Sequence, residues 1–101
     1  MVERRKARRI PVDFDVTETV NGVPHDCQAC EISPTGIRMV RRSESARGAD
    51  LVQIEIPLVP GGITTVFTAR RVWQRGGHEA FEFVSPTFAQ QAVLERRLGN
   101  I

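Results

Sequence analysis

Two stretches of this chain have residue types and spacing suited to binding chemistry. They are the basic run Arg4-Arg5-Lys6-Ala7-Arg8-Arg9 and the sequence Glu31-Ile32-Ser33-Pro34-Thr35-Gly36. Arginine keeps its charge at any physiological pH, and its planar fork matches phosphate oxygens and the O6/N7 edge of guanine. Arg5 and Arg9 stand four apart, so they share a face whether the segment is extended or helical. Extended, they lie about 13 Å apart, a span suited to straddling two guanines. Arg4 and Arg8 have the same spacing on the other face. In the second stretch Pro34 pre-sets a turn, and Gly36 allows a backbone conformation or a close approach that a side chain would block. Ser33 can accept from or donate to a backbone or ligand group. Glu31 shares its strand face, and its carboxylate can accept from guanine N–H donors or orient an arginine. Arginines beside a strand-end turn suit a ligand carrying both phosphate and guanine.

Each signal also has a plainer reading. A basic run can be a solvated tail or a non-specific nucleic-acid arm. Ser, Pro and Gly make ordinary β-turns. Cys27 and Cys30 form a C-x-x-C, but redox chemistry of the thioredoxin kind needs the pair at a helix N-terminus, and this pair lies in a strand-like segment. There, residues three apart point to opposite faces. A zinc site needs two more ligands, and only His25 and His78 are available. The cysteines are read as structural, with no metal and no cofactor expected. No nucleophile stands beside an evident base, so no catalytic residue is expected either.

The elements that must position these groups follow from the periodicity. The chain has 101 residues, enough for one domain with a modest core. Its net charge is only +2, so the basic imbalance is local and implies an anionic partner at one place. No apolar run spans a bilayer and no apolar leader is present, so a cytoplasmic location with no membrane partner is expected.

Residues 1–9 carry no apolar period and are expected to be flexible until a ligand orders them. Ile10, Val12, Phe14 and Val16 alternate with polar residues, as in a half-buried strand. Asn21-Gly22 predicts a tight turn into a second strand ending near Ile32. A short strand over Ile37–Val40, a loop over 41–50, and a strand through Val52, Ile54 and Ile56 follow. Pro60-Gly61-Gly62 turns the chain into a long strand over Ile63–Trp73. Arg75-Gly76-Gly77 leads to a last strand with Phe81 and Phe83 on one face. Ser85-Pro86 reads as an N-cap and first helical residue. Phe88 with Ala92, Ala89 with Val93 and Leu94 with Leu98 are spaced for one helix, with Gly99 a stop. The expected fold is all-β: a six-stranded antiparallel barrel over 10–84 with a C-terminal helix over 85–98.

On these motifs the chain resembles the PilZ domain, a bacterial receptor for cyclic di-GMP. Its pattern is R-x-x-x-R near the N-terminus, then [D/N]-x-S-x-x-G after the second strand. Arg5 through Arg9 fits the first part. Glu31 through Gly36 fits the second except at its first position, where Glu31 stands for Asp or Asn. Arg71-Val72-Trp73, a glycine loop and Ala80-Phe81-Glu82-Phe83 are similar to the family's last two strands, with Ala80 where glycine is frequent. The resemblance implies that Arg5, Arg9, Ser33 and Gly36 bind cyclic di-GMP, with Arg4 a neighbouring contact and Glu31 filling the departed position. Trp73 matches a tryptophan near the ligand in some members; a core aromatic is the alternative. The implied function is a non-catalytic effector module that orders its arginine segment on the ligand and signals to a partner protein. The alternatives are a degenerate module that binds a protein without nucleotide, and a nucleic-acid-binding barrel, which the near-neutral body and sparse aromatics disfavour.

Overall fold

The structure, a computed structural model, describes residues 9–42, 50–57 and 64–98. Six strands run as β1 (Ile10–Val20), β2 (Val23–Ser33), β3 (Gly36–Arg41), β4 (Leu51–Ile56), β5 (Thr65–Arg75) and β6 (His78–Phe83), followed by helix α1 (Phe88–Arg97). Every pairing is antiparallel, and the sheet closes in the order β1-β2-β3-β6-β5-β4 with β4 against β1. The expected barrel is therefore the observed one. The loop expected over 41–50 and the turn at Pro60-Gly61-Gly62 fall largely or wholly outside the described residues, as do residues 1–8 and Gly99.

Local chemistry accounts for the hairpins. Asn21 (φ 51°) and Gly22 (φ 84°) both take left-handed backbone, which matches the twist of β1 and β2 across a two-residue turn. Gly76 and Gly77 do the same between β5 and β6. Inside, Val16, Ile32, Ile37, Met39, Ile54 and Phe67 are buried, and the Phe67 and Phe83 rings stack with centroids 4.5 Å apart. Each such side chain contributes about 1.5–3 kcal/mol by leaving water.

The helix starts later than Ser85-Pro86 suggests. Ser85 is left-handed (φ 43°), and the N-cap is Thr87. Its hydroxyl accepts from Gln90 N–H at 3.0 Å while the Gln90 side chain accepts from Thr87 N–H at 2.8 Å. This reciprocal box satisfies two donors that a Ser85 cap would leave open, and Thr87-x-x-Gln90 was its readable signature. Leu94 and Leu98 are buried, whereas Phe88 is 87 % exposed and does not share their face. Gln90 Nε2 donates to Val66 O at 2.7 Å, and the Arg97 guanidinium lies 5.7 Å from the Phe14 ring centroid. These contacts tie α1 to the starts of β5 and β1, so the helix sits at the barrel end that also carries the β2–β3 turn.

Candidate functional site

Two β-bulges decide what faces outward. In β2, Ala29 pairs with Met39 and Glu31 with Arg38, leaving Cys30 as an extra residue against β3. In β5, Arg71 pairs with Phe81 and Trp73 with Ala80, leaving Val72 extra. A bulge shifts the two-residue alternation by one. Continued unbroken from Cys27 and Ala29, the alternation would turn Glu31 into the barrel; from Phe67, Ala69 and Arg71 it would do the same to Trp73. Both instead lie outside. Cys27 is buried and Cys30 half-buried, and both thiols are free.

The result is one row of directly paired residues across five strands of the outer surface. Pro11 pairs with Glu31, Glu31 with Arg38, Arg38 with Ala80, and Ala80 with Trp73. Trp73 is 44 % exposed, so it is not a core aromatic. Arg38 Nε lies 3.7 Å from Glu31 Oε1, and Arg38 Nη1 lies 3.3 Å from His78 Nδ1. A guanidinium only donates, so Nδ1 is the acceptor in this contact. Arg38 was not among the residues singled out from sequence, and His78 was named only as an available zinc ligand. A usable signal existed, because a two-residue turn after Ser33 sets Arg38 opposite Glu31.

The turn below this row is built by Ser33 and Gly36. Ser33 is 6 % exposed, and its Oγ accepts from the N–H groups of Thr35 and Gly36, both at 3.2 Å. Thr35 O accepts from Phe83 N–H at 2.9 Å, which pins the turn to β6. Gly36 packs its backbone against β6, and an added Cβ would fall well inside contact distance of the Phe81 carbonyl oxygen. Glycine is thus required here for close approach. Ile10 pairs with Ile32, so exposed Arg9 enters the barrel level with Ser33. Arg9, Glu31, Ser33 and Gly36 occupy neighbouring register positions at this end, and Trp73 lies on the same outer row as Glu31, three strands away; Arg4 and Arg5 lie outside the described residues.

Elsewhere the electrostatics differ. On the outer side of β1 and β4, a recess of about 190 Å³ is lined by Asp15, Asp26, Glu55 and Arg42, with Arg42 bound to Asp15 at 2.8 Å. Its excess of carboxylates disfavours an anionic ligand. Inside the barrel, away from α1, Glu79 is 1 % exposed and pairs with Arg41 and with Arg71, the latter at 3.8 Å. Glu18 is buried nearby, and the Cys27 thiol donates to its Oε1 at 3.5 Å. Burial, then the negative charge of Glu79, raises the Glu18 carboxyl above the usual glutamate range against the pull of Arg41. Burial, then Glu18, pushes the Cys27 thiol up to about 12, so it stays an inert thiol. Among the described residues, no group of three or more His, Cys, Asp or Glu side chains is placed to hold a metal ion. No helix among them is long and apolar enough to cross a membrane.

The sequence matches the PilZ domain family over residues 3–99, nearly its whole length. The chain belongs to the PilZ domain family. Its fold is similar to the crystal structure of the PilZ domain of CeSA from a cellulose-synthesizing bacterium, with a TM-score of 0.67. Identity is 16 %, over 92 % of this chain and 97 % of that one, so this likeness speaks to the fold. No curated protein matches the chain. PilZ domains are a family of cyclic di-GMP receptors, which gives the general kind of function: binding rather than catalysis.

Proposed function

We propose that this PilZ domain is a cyclic di-GMP-binding effector module. Arg4, Arg5 and Arg9 close over the ligand while it lies against the outer surface bearing Glu31, the Ser33–Gly36 turn and Trp73. The observation that supports this reading is the register: Arg9 joins β1 level with Ser33, and Glu31 and Trp73 share one outer row of paired residues next to that turn. Ser33 and Gly36 serve chiefly by building the rim, since the serine hydroxyl is already engaged with backbone N–H groups. Ordering of the arginine segment remodels the surface next to the rim, and a partner protein reads that change by coupled folding and binding. The expected setting is the bacterial cytoplasm.

Titration calorimetry with cyclic di-GMP at low ionic strength tests the reading. Arg5→Ala and Arg9→Ala each remove charge-assisted hydrogen bonds and weaken binding about ten-fold or more. No heat from the unmodified chain defeats the proposal.

A second reading has one observation in its favour. Glu31 replaces the shorter acid or amide of the family pattern, and its carboxylate already engages Arg38. A module that kept the barrel and lost the nucleotide would look this way. Glu31→Asp separates the two: a variant that binds where the natural chain does not identifies lost binding.

A further inference from the structure

Resting on that reading of the site, we infer that Arg38 is a further ligand-contacting residue, forming with Trp73 the two walls of a slot for one planar base. Arg38 and Trp73 lie on β3 and β5, and β6 runs between them. Both pair with the same residue, Ala80, so all three point outward at one level. Strands two apart are separated by about 10 Å, and side chains stand roughly perpendicular to the sheet. Between the walls the floor is a single methyl group. A flat ring in van der Waals contact on both faces needs about 7 Å between its neighbours. The indole and the guanidinium are both flat and both stack on bases, the arginine with a cation–π contribution. The strand separation exceeds this by about 3 Å, and the Arg38 guanidinium narrows the gap by reaching across to His78 of β6, the strand between the walls. The slot so narrowed takes one base, edge down, with Ala80 beneath it.

Arg38 is held for this task from two sides. Glu31 approaches its Nε, and His78 accepts from its Nη1. Glu31 then acts by orienting an arginine rather than by meeting guanine N–H donors. The longer carboxylate in place of Asp or Asn is accounted for by its reach to Arg38. His78 is a positioning residue that touches Arg38 and not the ligand.

Trp73 is the one tryptophan of the chain, so fluorescence excited at the red edge of indole absorption reports on this slot alone. Cyclic di-GMP is titrated into the unmodified chain, Arg38→Ala, Arg38→Lys, His78→Ala, His78→Asn and Arg9→Ala, each checked for an unaltered melting transition. The expected outcome is about a ten-fold loss of affinity for Arg38→Ala, with a smaller fluorescence change at saturation. Arg38→Lys keeps the charge without the plane and recovers little. His78→Ala loses about three-fold, and His78→Asn, whose amide oxygen can accept in place of Nδ1, restores the loss. Arg9→Ala weakens binding but leaves the saturating fluorescence change intact. Unchanged affinity and fluorescence in Arg38→Ala overturn the slot while the proposed function stands, as does full rescue by Arg38→Lys. Failure of the unmodified chain to bind overturns both.

Discussion

Two arginine–glutamate groupings in this barrel have opposite characters. Inside, Glu79 is held between Arg41 and Arg71, with their side chains 1 %, 8 % and 12 % exposed. Outside, Glu31 meets Arg38 with about a third of each side chain in water. The interior group has little solvent to fall back on, so removing one member leaves the charge of the others poorly compensated at high cost. The exterior pair contributes little to stability because water and salt compete for both partners. The same exposure makes it useful, since Arg38 can meet a ligand while Glu31 still orients it. The comparison teaches that one end of the barrel uses charge to hold the strands together, and the outer rim keeps charge available.

The largest expected effect comes from the interior. Glu79→Ala leaves two buried guanidinium groups without their shared carboxylate and is expected to cost about 3–5 kcal/mol. Urea denaturation checks it. By contrast, Glu31→Gln should shift stability by no more than about 0.5 kcal/mol. Similar losses at both positions would break the distinction between the two groupings.

Next come the two residues that build the rim. Gly36→Ala forces a methyl group against the Phe81 carbonyl and is expected to cost about 1–3 kcal/mol as β3 and β6 move apart. Ser33→Ala orphans the N–H groups of Thr35 and Gly36, at about 1–2 kcal/mol. Thermal melts without ligand measure both. If each variant is as stable as the parent yet binds no ligand, these residues meet the nucleotide directly and the rim-building role is wrong.

Much of this organisation was legible in the sequence, and the failures have physical causes. Apolar alternation marked β1 and β4, the shared face of Phe81 and Phe83 marked β6, and turn signals and β-branched content marked β2, β3 and β5, with Asn21-Gly22 and Gly76-Gly77 at two hairpins. The faces of Glu31 and Trp73 were not legible, because one extra residue in β2 and one in β5 reverses the alternation with no composition change to announce it. The interior charges were missed for another reason. Glu18 follows Val16, Arg41 follows Ile37 and Met39, Arg71 follows Phe67 and Ala69, and Glu79 precedes Phe81, each in phase with the core. Phase gave the right answer where polarity gave the wrong one. The pairing of Arg38 with Glu31 could be read from the two-residue turn, but its contact with His78 of β6, 40 residues away in the chain, could not.

A small effect at Glu18 carries the sharpest sign. Burial and the nearby Glu79 charge raise the Glu18 carboxyl above the usual glutamate range. Below that range both folded and unfolded chains are protonated at this site, and it costs nothing. As pH rises through the ordinary glutamate value the unfolded chain gives up its proton first, so stability falls until the raised folded value is also passed. Glu18→Gln removes this slope. The amide oxygen can still accept from the Cys27 thiol, and no charge remains to repel Glu79. At pH 4 the variant should match the parent, and at pH 8 it should be more stable by about 1 kcal/mol. Denaturation at the two pH values decides it. A variant that is less stable at pH 8 would mean that Glu18 is held ionised by Arg41 and Arg71, and that the interior group is a four-membered ion network instead of a shared carboxylate with a protonated neighbour.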